Sequence, residues 1–306
     1  MKGNPVISVI MPLYNKRPYV RQAIDSVIQQ TFTDWELIIV DDGSTDGSPD
    51  EIPQDDSRIR FFHQANAGPG AARNHGISQS VGTFVTFIDA DDYYYPQKLN
   101  HEITLLNNEK MAEWMVSAFE YETNDRVTVR HIRNIHGKEI KGEPLIFDNA
   151  PLQLTIKGWH IDGLCMKKSL LDRLGGFREG MRCFEITDLL IRCAMMQPQV
   201  LISPLPLFRV VDVPNSAFKV VWHRTEGIRQ MGENLHALSA EHPELAHIFN
   251  PKSRKQLLSY VAALIQGQRS GEARKYLTHT FPYSRDKRWW KMWILTWMPQ
   301  WLIEAR

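Results

Sequence analysis

A chain of 306 residues that is 43% apolar and 23% charged has the material for one large or two smaller globular domains with a sizeable core. Its 36 Lys and Arg nearly balance 35 Asp and Glu, which excludes a global field for nucleic acid; the composition also excludes disorder and collagen-like repetition. Three scattered cysteines, Cys165, Cys183 and Cys193, are too few for a disulfide framework or a zinc cage and read as reduced thiols of a cytoplasmic protein. The first apolar run, Val6 to Leu13, is broken by Ser8 and Pro12 and lacks a leader's cleavage signal, so a strand is expected over Val6–Met11. Val20, Ile24, Val27 and Ile28 then recur at helical spacing. Glu36–Val40 is a second strand pattern and stops at Asp41-Asp42-Gly43. Ile59–His63 is a third, followed by the turn Ala67-Gly68-Pro69-Gly70 and a helix over Ala71–Ser80. Thr83–Ile88 is a fourth and ends in Asp89-Ala90-Asp91-Asp92, after which Pro96 opens a helix to about Asn107. From Trp114 to Ala150 the pattern is mixed. Asp212–Pro214 reads as a joint, with helical patterns beyond it at Ala217–Ser239, Lys252–Gln268 and Gly271–Thr280. No run approaches the roughly 18 apolar residues of a spanning helix.

Strands alternating with helices predict an α/β fold, a mostly parallel sheet with helices on its faces. In such sheets ligands bind outside the carboxyl ends of the strands, which brings Tyr14-Asn15, the 41–46 cluster and the 89–92 cluster to one crevice. Packing acids as densely as in Asp89–Asp92 is costly without a positive partner, and hard oxygen donors suit magnesium or manganese. The bland reading is a solvated acidic loop; the placement directly after an apolar strand favours metal. Asp41 or Asp42 suits a base N–H or a ribose hydroxyl, while the same stretch also reads as an Asp-Gly turn with Ser44 or Asp46 capping the next helix. The turn before Ala71 allows close backbone approach at a helix N-terminus, a place favourable to an anion, with Arg73 in the first turn.

The ordered motifs Pro12-Leu-Tyr-Asn15, Ser26-x-x-x-Gln30-Thr-Phe32, Val40-Asp-Asp-Gly-Ser-Thr-Asp46, Asn66-x-Gly-Pro-Gly-Ala-Ala-Arg73-Asn74 and Phe87-Ile-Asp-Ala-Asp-Asp92 resemble the nucleotide-binding half of family 2 glycosyltransferases. Leu174-Gly-Gly-Phe177 and Glu185-x-x-Asp188-Leu-x-x-Arg192 extend the resemblance to about residue 210. It implies the GT-A fold, a Rossmann-like sheet, and inverting transfer of a sugar from a nucleotide diphosphate, with a UDP-sugar favoured. By resemblance, Asp42 meets the base with Asp41 beside it, and Pro12, Tyr14, Asn15 and Arg73 help hold the nucleotide. Asp89 and Ala90 face the ribose or donor sugar, Asp91 binds the bridging Mn2+ or Mg2+, and Arg209 approaches the pyrophosphate, or else pairs with a sheet acid. The family's Glu-Asp-x-Asp-Leu supplies a general base at its first Asp, and here that position is Ile186. Glu185 and Asp188 share a helix face and are the candidates to replace it, Glu185 first. The alternative is that both only cap the helix near Arg192.

The predicted division is a catalytic domain over 1–212 and a helical extension over 213–306. The end, 285–306, holds five of the nine tryptophans, and from Lys252 onward eleven Lys and Arg face three acids. Tryptophan and basic residues together suit an anionic membrane interface, the alternatives being a groove of the catalytic domain or a dimer contact. This predicts a peripheral protein on the inner face of the plasma membrane, acting on a glycan or polyprenyl-linked acceptor in surface polysaccharide synthesis. Oligomeric state stays open. A nucleotide-sugar-binding protein that has lost its base is the second reading. A nucleotidyltransferase is the third, disfavoured because Leu13-Tyr14-Asn15-Lys16 is not a Gly-rich phosphate loop. His160, Tyr121 and Trp159 are candidates for the acceptor side, His160 equally for a satisfied, partly buried histidine.

Overall fold

The computed structural model describes residues 3–123, 126–133, 138–147, 159–181, 183–196, 198–214, 221–280 and 287–296. The chain divides into two compact units, Met1–Met181 with Glu185–Ser216, and Arg182–Phe184 with Ala217–Arg306. In the first unit β1 (Ile7–Leu13), α1 (Arg17–Ile28), β2 (Trp35–Asp41), β3 (Ile59–His63), α2 (Pro69–Gln79) and β4 (Phe84–Phe87) follow the expected alternation. The stretch read as mixed contains β6 (Trp114–Thr123), β7 (Arg126–Arg130) and β8 (Leu145–Phe147), after β5 (Tyr93–Tyr94) and α3 (Lys98–Asn108). Then come β9 (Leu164–Lys167), α4 (Lys168–Leu174), α5 (Glu185–Met195) and β10 (Val200–Val211).

The strands form one sheet in the order β3-β2-β1-β4-β9-β6-β10-β5, with β7 on β6 and β8 on β10. Pairs β1–β2, β1–β4, β2–β3 and β6–β10 are parallel. Strand β9, which no sequence pattern singled out, runs antiparallel between β4 and β6. Alternate residues bury on opposite faces, as a strand period of two requires. Val9, Met11 and Leu13 pack with Val20, Ile24 and Val27 of α1 and with Leu99 and Ile103 of α3. Ile10, Val85 and Phe87 pack on the other face with Ile77 of α2 and with Leu170, Leu189 and Leu190 of α4 and α5. Helix α2 sits close because residue 76 is glycine: a Cβ there would stand 2.5 Å from Ile10 Cγ2.

The second unit is helical over its described residues: α6 (Val221–Glu241), α7 (Ala246–Gln266), α8 (Ser270–Thr280) and α9 (Lys287–Leu295). Its core joins Leu258, Val261, Leu264 and Ile265 of α7 to Ala273 and Leu277 of α8, with Met292, Trp293 and Leu295 of α9 packed against them. Lys291 and Ile294 of α9 stay exposed, while Trp297 and Trp301 lie outside the described residues. Among the described residues no helix is long and apolar enough to cross a membrane.

Candidate active site

The carboxyl ends of β1, β2 and β4 meet at one edge of the first unit. Asn15, left-handed at φ 51°, ties the first two tips together. Its N–H donates to Ser44 Oγ at 3.0 Å, and its Oδ1 accepts the Thr45 N–H at 2.8 Å. Pro12 lies in β1 opposite Val40, and Tyr14 is about half exposed beyond it. Asp41 is buried, accepting the Ser44 N–H at 3.1 Å and facing His63 Nδ1 at 2.8 Å. Asp42, also buried, accepts from Gln64 Nε2 at 2.9 Å and from the backbone N–H groups of Ala67 and Gly68, each at 2.8 Å. The anion held by this turn is therefore the protein's own carboxylate, and Gly68 supplies the positive φ of 96° that aims its N–H there.

The acidic run after β4 divides by partner. Arg73, 3% exposed, bridges two carboxylates far apart in sequence. Nη2 donates to Asp89 Oδ1 at 2.7 Å, and Nη1 donates to Glu185 Oε1 at 2.8 Å. Asp91 pairs with Lys16 Nζ at 2.5 Å. Asp92 accepts the Val211 N–H on Oδ1 at 2.9 Å, and its Oδ2 lies 3.7 Å from His160 Nε2. Ala90 is buried in the apolar core between them. Burial pushes the Asp89 carboxyl up, but Arg73, His160 and Lys16 together outweigh it and the net pKa is lowered. Asp91 is raised by burial despite Lys16. Asp92 is raised well above its ordinary value by burial and by the carboxylates of Asp162, Asp91 and Asp89.

The antiparallel direction of β9 adds a second group to the same edge, because its amino end lies where its neighbours' carboxyl ends lie. Asp162, fully buried, accepts the Asp89 N–H on Oδ1 at 3.1 Å, and its Oδ2 has no hydrogen-bond partner among the described residues. Nδ1 of His160 stands 3.4 Å from the Asp162 backbone N and 3.5 Å from Asp162 Oδ1. The metal-ligating atoms of Asp89, Asp92 and His160 lie within 4.8 Å of one another, a set able to hold a metal ion.

The two candidate bases are unlike in placement. Glu185, buried, joins the acidic run through Arg73. Asp188 accepts from Arg178 Nε at 3.1 Å and Arg192 Nε at 2.8 Å, and Arg192 also donates to the carbonyls of Leu174 and Gly176. Asp188 thus locks the Leu174–Phe177 turn onto α5. Ile186 packs against the apolar cluster under the sheet. Arg209 donates to Glu120 at 2.7 Å and to Glu122 at 3.1 Å, both on β6, so it pairs with sheet acids. Sequence reasoning passed over Lys16 and Asp162. A lone lysine after a strand carries no signal, whereas the short apolar run at Leu164–Met166 could have marked the strand that delivers Asp162.

The family model described as glycosyl transferase family 2 matches residues 8–169, more than half of the chain. An uncharacterized glycosyltransferase of Rickettsia felis is 33% identical over 159 residues, covering 50% of this chain and 25% of that protein. The chain therefore spans only a part of the length of the curated relatives it matches. Among solved structures, TarS 1–349 of S. aureus in complex with UDP-GlcNAc superposes with a TM-score of 0.61 at 16% identity, over 84% of this chain and 81% of that one. The mannosyltransferase PcManGT of Pyrobaculum calidifontis, in complex with GDP-Man and Mn2+, does so with a TM-score of 0.58 at 16% identity, over 96% and 84%. At these identities the likeness establishes the fold, a GT-A arrangement.

Proposed function

Because this chain belongs to glycosyl transferase family 2, we propose that it moves a sugar with inversion from a nucleoside diphosphate, UDP first, to a glycan or polyprenyl-linked acceptor in surface polysaccharide synthesis. The observation that carries this reading is the Arg73 bridge, which fixes Glu185 beside the acidic run across 112 positions of sequence. The donor set also suits a hard divalent cation, Mn2+ or Mg2+: clustered carboxylates, and a buried Asp162 oxygen with no partner among the described residues. The carboxylates of Asp89 and Asp92, which lie close enough to share an ion, would hold it, with Asp91, the ligand that the family resemblance implies, beside them in the run. When bound, such a cation neutralises charge on the departing nucleoside diphosphate.

The chain's own residues do the rest. Asp42 braces the Ala67–Gly68 turn and so sets the start of α2, the helix that carries Arg73. The nucleotide base is proposed to sit beside Asp41 and Asp42, at the tip that Asn15 ties down, with Pro12 and Tyr14 lining it. Lys16 holds Asp91 in place at the mouth of the run. Arg73 leaves Oε2 of Glu185 as the oxygen to take the acceptor's hydroxyl proton. Arg209 acts from the side, held in its ion pairs with Glu120 and Glu122. For the tail, exposed Arg288 and Lys291 beside exposed Ile294 support contact with an anionic membrane surface.

Calorimetry with UDP and with GDP, each with Mn2+, tests the donor half. If neither nucleotide binds, the reading fails. A panel of nucleotide sugars, scored by released nucleoside diphosphate, then tests transfer. The competing reading, a binding protein without turnover, is favoured by Ile186 and by the ion-paired state of Glu185; donor binding with no transfer to any acceptor would select it.

A further inference from the structure

We propose that His160 is a nitrogen ligand of the divalent cation, so that the site is completed by the amino end of the antiparallel strand β9 and not by the acidic run alone. This rests on the metal-dependent reading above and adds a residue outside every motif that led to it. Three separate observations converge on the ring. The first is distance. Nε2 of His160 stands 3.7 Å from Asp92 Oδ2, and the ligating atoms of His160, Asp92 and Asp89 all fall within 4.8 Å. Donors around an octahedral ion with bonds near 2.1 Å are about 3.0 to 4.2 Å apart, so little movement would close the set.

The second is orientation. Metal-bound histidines hold their other nitrogen against a carboxylate or carbonyl, which sets the ring plane and tautomer. On the Nδ1 side stand Asp162 Oδ1 at 3.5 Å and the Asp162 backbone N–H at 3.4 Å, and Nε2 is directed at Asp92. Phe119 and Phe208 flank the imidazole with centroids 5.5 and 5.6 Å away and confine its rotation. The third is charge. Asp89 shares Arg73 with Glu185, and Asp91 has Lys16. Among the described residues no lysine or arginine pairs with Asp92 or Asp162, and Asp162 Oδ2 is buried without a partner. A divalent ion seated between Asp92, Asp89 and His160 supplies the missing positive charge. One imidazole among oxygen donors also shifts preference away from Mg2+ and toward transition metals, in the order Mg2+, Mn2+, Co2+.

The full chain loaded with Mn2+, alone and again with UDP, is read by pulsed electron paramagnetic resonance and by calorimetry. The expected result is a nitrogen hyperfine coupling of directly bound imidazole in the wild type. His160→Ala and His160→Gln should both abolish it and weaken Mn2+ at least about tenfold, with a smaller loss for Mg2+. Manganese bound without nitrogen coupling, and equally well by both variants, overturns the assignment of His160 while leaving the donor reading intact. No manganese bound by the wild type under either condition overturns both. The wild-type spectrum decides the matter even if a variant fails to fold.

Discussion

The two units handle charge in opposite ways. At the sheet edge Arg73 and Glu185 pair with side chains 3% and 7% exposed, whereas in the helical unit Arg269 and Glu272 pair with 37% and 56% exposed. The helical unit follows the ordinary amphipathic rule, with apolar positions inward and ion pairs three or four residues apart outside. The sheet edge breaks that rule by drawing Asp41, Asp42, Asp92 and Asp162 out of water at the tips of apolar strands, and Glu185 at the start of α5. Burial of this kind is tolerated only when partners are supplied, and among the described residues one oxygen of Asp162 has none.

The sharpest way to break the contrast is Arg73→Ala. Buried Glu185 and part-buried Asp89 then lose their cation, and we expect about 3–5 kcal/mol of destabilisation together with a loss of transfer of at least about a hundredfold. Chemical denaturation and nucleoside diphosphate release measure the two. Arg73→Lys should regain stability better than activity, because an ammonium cannot span Asp89 and Glu185 as a planar guanidinium does.

Nearly as large is the effect expected at Lys98 and Glu102, an ion pair buried completely beneath β4, where Lys98 Nζ also donates to Thr86 Oγ1 at 3.2 Å. Lys98→Met alone should cost about 3–5 kcal/mol at pH 8, whereas combining Lys98→Met with Glu102→Leu should bring stability near wild type. Glu102 faces Lys98, Tyr94 and Cys165, and burial pushes its carboxyl up to about 7 against an ordinary 4.5. Its contribution is therefore complete below about pH 4.5 and is lost as pH rises through about 7. Unfolding midpoints from pH 4.5 to 8 should show that decline in the wild type and its absence in the double variant.

A pair of glycines sharpens the comparison. Gly76→Ala drives a Cβ into Ile10, and Gly232→Ala drives one to 2.5 Å from Leu257 Cδ2 in the helical unit. Each should cost about 1–3 kcal/mol, less at Gly232 because the end of a leucine yields more readily than a β-branched methyl. Only Gly76→Ala should weaken UDP binding by calorimetry, since it displaces the helix that carries Arg73. Smallest of all is Arg269→Ala, whose exposed pair should leave the thermal midpoint within about 2 °C of wild type.

Much of the fold was legible beforehand because periodicity reports burial directly. The first four strands, with their intervening helices, lie within a few residues of expectation, and the helical patterns after Asp212 recur in α6, α7 and α8. Helix α2 begins at Pro69 and not Ala71, since proline is accommodated in the first turn where its missing N–H has no role. The site was legible as positions but not as partners. Asp89, Arg73 and Glu185 were singled out one by one, yet nothing in their spacing told that a single guanidinium joins the other two. Asp188 and Glu185, alike on one helix face, are separated by which arginine each meets. Strand β9 escaped notice because four residues are too few to show alternation, and its short apolar run was the one signal left to mark it.

The amino-acid order by itself determined which strands are apolar, which tips carry acids and where the chain turns, since each of these depends on neighbours a few residues apart. The pairing of Lys16 with Asp91, of Arg209 with the acids of β6, and of His160 with Asp92 across the sheet was decided only by tertiary structure. Strand order and direction choose which tips become neighbours, and a buried charge settles on whichever counter-charge that order brings within reach.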